Sequence, residues 1–83
     1  MADNRGDHEI VALAELKTEH FAGALRALRS GARATRRKWG GIAWLSIEQA
    51  SPPYIVCVMA YGVLPWVPVA EDLLADDWIC EGK

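Results

Sequence analysis

The stretch "FAGALRALRSG", residues 21–31, decides the fold. Phe21, Ala24, Leu25 and Leu28 fall at i, i+3, i+4 and i+7, which gives one apolar stripe, while Arg26 and Arg29 point elsewhere. This spacing predicts a helix from about Glu19 to Ser30. Thr18 is placed to cap its start and Gly31 to take the left-handed turn that ends it. A single stripe needs a single surface to pack on, and the chain that follows supplies strands.

"ARATR" is a short strand, "GG" at 40–41 turns the chain, and "IAWLSIE" alternates, with Ala43, Leu45 and Ile47 on one side and Trp44, Ser46 and Glu48 on the other. "SPP" at 51–53 breaks the chain again. "YIVCVMA" is then a strand apolar on both faces: Tyr54, Val56 and Val58 on one, Ile55, Cys57 and Met59 on the other. One short helix covers only one face of a small sheet, so the second face points to another copy of the chain. Gly62 allows a tight reversal. "VLPWV" is an edge strand because Pro65 cannot donate to a ladder, "VAEDLLA" a brief helical turn, and "DDWIC" the closing strand. The expected architecture is α+β: a small antiparallel sheet packed against one main helix, assembled as a homo-oligomer. It occupies residues 19–83 as one domain. Residues 1–18 form a flexible or partly helical arm, in which "HEIVALAEL" (8–16) leans towards helix and "RGD" (5–7) is a chance tripeptide.

An 83-residue chain has room for one core, and a chain of this size buries only about 60% of the surface it exposes unfolded. Extra stabilisation is therefore expected from disulfides, a metal or association. Only Cys57 and Cys80 are present, each in an apolar stretch and neither at metal-ligand spacing, which fits two free buried thiols. The polar start "MADNRGDHE" lacks the apolar segment of a secretory signal, and no apolar run reaches membrane-spanning length, so a cytoplasmic protein without membrane contact is expected. Association is the stabiliser left.

The net charge of −2 hides a pattern. Residues 1–20 carry two basic and five acidic side chains, residues 21–48 six basic and one acidic, and residues 49–83 one basic and five acidic. The positive island centres on "RATRRKW", where Arg33, Arg36, Arg37 and Lys38 run into Trp39. Two readings fit: a site for a phosphate-bearing ligand, or pairing with the acidic C-terminal third within the fold or across a subunit contact. A free-standing nucleic-acid polymer binder is disfavoured by the negative total and the shortness of the island.

Chemistry that would mark an enzyme is missing from the pattern. His8 and His20 sit in no recognisable motif, and there is no nucleophile elbow, zinc-protease helix, phosphate loop or dinucleotide fingerprint. The pairs Glu71/Asp72 and Asp76/Asp77 are adjacent residues, whose side chains diverge in extended chain, so each is read as a cap or solvated charge. No catalytic residue, metal site or cofactor is expected. What stands out is aromatic and cationic. Trp39 follows basic residues and precedes two glycines, and Trp66 is bracketed by prolines, whereas a core tryptophan usually sits in an apolar run. Rings held by rigid turns can stack on a nucleobase while arginines hold phosphate. The competing reading is that both rings close the small core or an interface.

The ordered set "FAGALRALRSG", "RATRRKW", "PPYIVCVMAYG", "PW" and "DLLADDW", over residues 20–80, resembles the phage Thoeris anti-defence family of the second type. The resemblance implies a non-enzymatic sponge. Such a protein is a homotetramer that binds the cyclic ADP-ribose isomers made by TIR proteins and starves their effector, and some members also take cyclic dinucleotides of another signalling defence in a separate site. Carried onto this chain, it implies a ligand site of Phe21, Arg36, Arg37, Trp39, Trp66 and Asp77. Trp66 would stack on the ligand, the prolines fix it, Asp77 accept ribose hydroxyls or brace an arginine, and Trp78 and the leucines pack the core. Phe21 is equally placed to be a core anchor. The chain departs from the family at Gly40, where asparagine is usual, and in its longer N-terminal arm. Two other functions remain open: a protein-binding inhibitor or adaptor using the tryptophan and arginine surface, and a small nucleotide hydrolase.

Overall fold

The structure, a computed structural model, describes residues 17–82; the expected arm, residues 8–16 and 5–7 included, lies outside them apart from its last two residues. The main helix, α1, spans Phe21–Arg29, with Ala24 and Leu28 buried from its stripe. It starts two residues later than the spacing predicts. Glu19 instead exchanges a pair of backbone hydrogen bonds with Trp78, of 2.9 and 3.1 Å. The chain two residues before the helix is thus bound into the sheet edge, and the capping position falls to His20, which makes no side-chain cap. Thr18 does not serve. The far end follows expectation: Gly31 has φ 101°, its amide donates to the Leu28 carbonyl and that of Ala32 to the Ala27 carbonyl, the paired bonds that close a helix through a left-handed residue.

Five strands follow: β1 Arg33–Arg36, β2 Ala43–Glu48, β3 Tyr54–Met59, β4 Gly62–Pro65 and β5 Trp78–Glu81. A 3-10 turn, Arg37–Trp39, leaves β1, and a five-residue helix α2, Ala70–Leu74, lies between β4 and β5. The strands form one antiparallel sheet in the order β4-β3-β2-β1-β5. The last strand therefore lies beside the first, and residues 66–77 carry the chain from one edge to the other.

Register sets which side chains meet the helix. Ala34 opposes Leu45 and Cys80, Leu45 opposes Cys57, and Arg36 opposes Trp78, so these six share the helix-facing side. Ala24, Leu28, Ala34, Leu45 and Trp78 form the buried centre. Each fully buried leucine there contributes about 1.5–3 kcal/mol. On the opposite side Thr35 and Ile79 are fully covered, Val56 nearly so, and the Arg33 guanidinium lies 3.8 Å from the centre of the Trp44 ring. Tyr54, Val58 and Val63 stay exposed on that side. The second face of β3 is thus open at its two ends, Tyr54 and Val58, and covered at Val56 between them.

One packing expectation fails. Trp78 is fully buried, but Leu73 is 44% and Leu74 83% exposed. A helix of five residues presents one side at most. Here that side is taken by Asp72, whose carbonyl accepts the Trp78 indole N–H at 2.9 Å.

Candidate functional site

Trp78 organises the aromatic residues. Its ring stands edge-on to Trp39 at 5.5 Å and to Trp66 at 6.0 Å, and Phe21 packs on it at 5.3 Å and on Trp66 at 5.8 Å. Offset and edge-to-face pairs of this kind contribute about 0.5–1.5 kcal/mol each beyond their buried area. Trp39 and Trp66 are only half-buried. Each has one part against the core and another on a cleft of about 320 Å³, lined by Lys38, Trp39, Ile42, Ala43, Cys57 and Trp66. The core-closing reading of the two tryptophans holds, and their remaining surface faces the cleft.

The cleft has its shape for local reasons. The 3-10 turn that presents Trp39 ends in Gly40 and Gly41, at φ 64° and 84°, a reversal that leads straight into β2. Trp66 follows Pro65, and its amide donates to the Ile55 carbonyl at 2.9 Å, which ties it to β3. Cys57 comes from β3 beneath. Burial raises the pKa of the Cys57 thiol, and that of Cys80 is pushed up to about 12 by burial and by neighbouring Glu19. Neither is poised as a nucleophile at neutral pH.

Behind the cleft lies an ion cluster. The Arg36 side chain is 7% exposed, and its Nε donates to Asp77 Oδ1 at 2.7 Å and its Nη1 to Asp72 Oδ1 at 3.0 Å, with Glu71 at 3.5 Å. The Lys38 amide donates to Asp77 Oδ2 at 3.0 Å, the Arg37 amide to the Asp77 carbonyl at 2.9 Å, and the Lys38 ammonium pairs with Glu71. Arg33 pairs with Glu81 at 2.6 Å. Three members of the positive island are thus matched to the acidic C-terminal third within the fold, the second of its two readings.

Of the six residues the resemblance singles out, Trp39 and Trp66 line the cleft and Phe21 stands behind Trp66. Arg36 and Asp77 meet each other, and Arg37 begins the 3-10 turn with an exposed side chain. Lys38 reaches the cleft from the positive island, while Ile42, Ala43 and Cys57 join it through sheet register and chain reversal, which no local pattern reports. Asp72, expected as a cap or solvated charge, does accept from the Val69 amide at the start of α2 and in addition holds Arg36. Among the described residues no group of side chains gathers that could hold a metal ion, and no helix is long and apolar enough to cross a membrane.

Asp77 makes the cluster sensitive to acid. Burial alone would raise its carboxyl pKa; the bonds from Arg36 and the Lys38 amide, with the Arg36 charge, outweigh this and hold it below the ordinary value. The folded chain therefore releases this proton more readily than the unfolded one. Its contribution is complete above the unfolded value of about 3.9 and is lost as pH falls through the lower folded value. Glu71, lowered by Lys38, acts in the same direction. The melting temperature should accordingly drop as pH falls below about 4. Asp77→Asn should melt lower at pH 7 and show a smaller drop in acid, with Glu71 supplying what remains. Equal pH slopes for the two proteins would refute the assignment.

A search of curated proteins found no match. A family model does match: that of the Thoeris anti-defense 2-like domain, over residues 20–80, from the residue before α1 to the third residue of β5. The match takes in both helices, β1 to β4, most of β5 and every cleft residue, and on its extent the chain belongs to the Thoeris anti-defense 2-like family.

Proposed function

We propose that the protein is a non-enzymatic sponge of phage anti-defence, binding a cyclic ADP-ribose isomer made by TIR proteins and withholding it from its effector. The observation that carries this reading is the cleft walled by Trp39 and Trp66, with Lys38 at its rim, in a chain of this family. Paired aromatic walls suit an adenine ring, and the Lys38 ammonium, more than half exposed and paired with the equally exposed Glu71 at the surface, suits the diphosphate. At about 320 Å³ the cleft is at the small end of ligand sites. It takes a base rather than a whole cyclic nucleotide.

The rest of the ligand would lie over the exposed Ile42 and against another copy of the chain, as a homotetramer allows. The exposed Val67, Val69 and Leu74 supply apolar surface for such contacts. The same surface supports the second reading, a protein-binding inhibitor or adaptor. Cyclic dinucleotides are further candidate ligands.

The test is to incubate the protein with a cyclic ADP-ribose isomer, measure the mass of the complex by light scattering, then denature it and identify the nucleotide by mass spectrometry. A tetramer that returns the isomer unchanged is expected. Linear ADP-ribose in protein-dependent amounts would establish a hydrolase, and absence of nucleotide would favour the protein-binding reading.

A further inference from the structure

Asp72 acts at two places at once. Its carbonyl accepts the Trp78 indole N–H at 2.9 Å, and its carboxylate holds Arg36 at 3.0 Å. Trp78 is the ring against which both cleft walls lean, and Arg36 leads directly into the turn that carries Trp39. Asp77 closes the circuit: its carboxylate binds Arg36 on one oxygen and the Lys38 amide on the other, fixing the same turn from behind. The other wall is tied in through the chain itself, since Trp66 is joined to α2 by the short run 67–69.

Resting on the reading of the cleft as the ligand site, we propose that Arg36 and Asp72 are positioning residues, which set the placement of Trp39 relative to Trp66 without touching the ligand. The guanidinium is consumed by carboxylates on both sides and is 7% exposed, so it is poorly placed to reach a diphosphate in the cleft. A planar fork satisfies two carboxylates in fixed directions, which a lysine ammonium does not. A wall held in place before the ligand arrives binds it more tightly, because less ordering remains to be done.

Arg36→Ala would leave two aspartates facing each other with no cation between them and threatens the fold, so the test uses Asp72→Asn and Arg36→Lys. The chain has four tryptophans. With 5-fluorotryptophan incorporated, each gives one fluorine signal, assigned by single Trp→Phe changes. Both variants should melt cooperatively, yet the ligand-free Trp39 signal should shift or broaden in each. Affinity for the cyclic ADP-ribose isomer should fall by about three- to thirtyfold. Combining the two changes should cost little more than either alone, since both act through one contact.

Unchanged ligand-free signals with reduced affinity would make Arg36 a direct ligand contact and overturn the proposal. Shifted signals with unchanged affinity would overturn it too, by showing that wall placement does not matter. A wild-type protein that fails to bind the isomer would sink the sponge reading instead. The placement of the walls would then still be decided by the ligand-free spectra.

Discussion

Trp78→Ala should unfold the protein. The side chain is fully buried, touches Phe21, Trp39 and Trp66, and donates its indole N–H to the Asp72 carbonyl. Truncating a buried tryptophan costs about 3–5 kcal/mol, and a core of this size rarely supplies more than about 3–5 kcal/mol in total. The expected result is loss of the cooperative thermal transition and of the near-ultraviolet dichroism of the aromatic cluster. Trp78→Phe separates the two roles. It keeps a ring against the neighbouring aromatics and leaves the Asp72 carbonyl without its donor, so it should keep a cooperative transition at a melting temperature below that of the wild type. A Trp78→Ala protein that melts like the wild type would mean that the centre of the fold lies elsewhere.

Trp66→Ala should have the largest effect on binding with the fold retained. The ring is half-buried, at the edge of the core rather than its centre, and one part of it lines the cleft. Loss of a base-stacking aromatic weakens binding by about 1–3 kcal/mol, one to two orders of magnitude in affinity. Calorimetric titration with the cyclic ADP-ribose isomer measures this. The melt and the oligomeric mass are followed in parallel, because Trp66 also meets Phe21 and Trp78. Normal affinity, or loss of binding only through dissociation of the assembly, would assign Trp66 to the core and interface rather than to the ligand.

The elements were legible in the sequence where a local pattern decides. The helix stripe, the alternation of β2, the two-faced β3 and the glycine stop at residue 31 all appear where the periodicity puts them. The helix start was not legible, because Glu19 is claimed by a partner 59 positions away, and no local signal reports a contact of that range. The candidate cleft is legible in its aromatics, since Trp39 and Trp66, which stand in unusual surroundings in the sequence, both line it. It was opaque in its charges. Asp72 and Asp77 come from two different acidic doublets, and only the path from α2 into β5 brings them to one arginine. Each doublet taken alone gives no hint of the pairing between doublets, because that pairing runs through an arginine more than thirty positions away.

That the last strand lies beside the first has a consequence for how the chain is made. While β1 to β4 emerge during synthesis, α1 has the sheet to lie on but no central ring to pack around, because Trp78 arrives only with β5. Until then Phe21, Trp39 and Trp66 surround a gap, and Arg36 waits for both of its aspartates. Closure of so long a loop is slow and comes late, since its entropy must be met before its contacts form. Until β5 pairs with β1, the growing chain therefore stays open to chaperones and proteases. It becomes a protected, folded body in the step that seats Trp78.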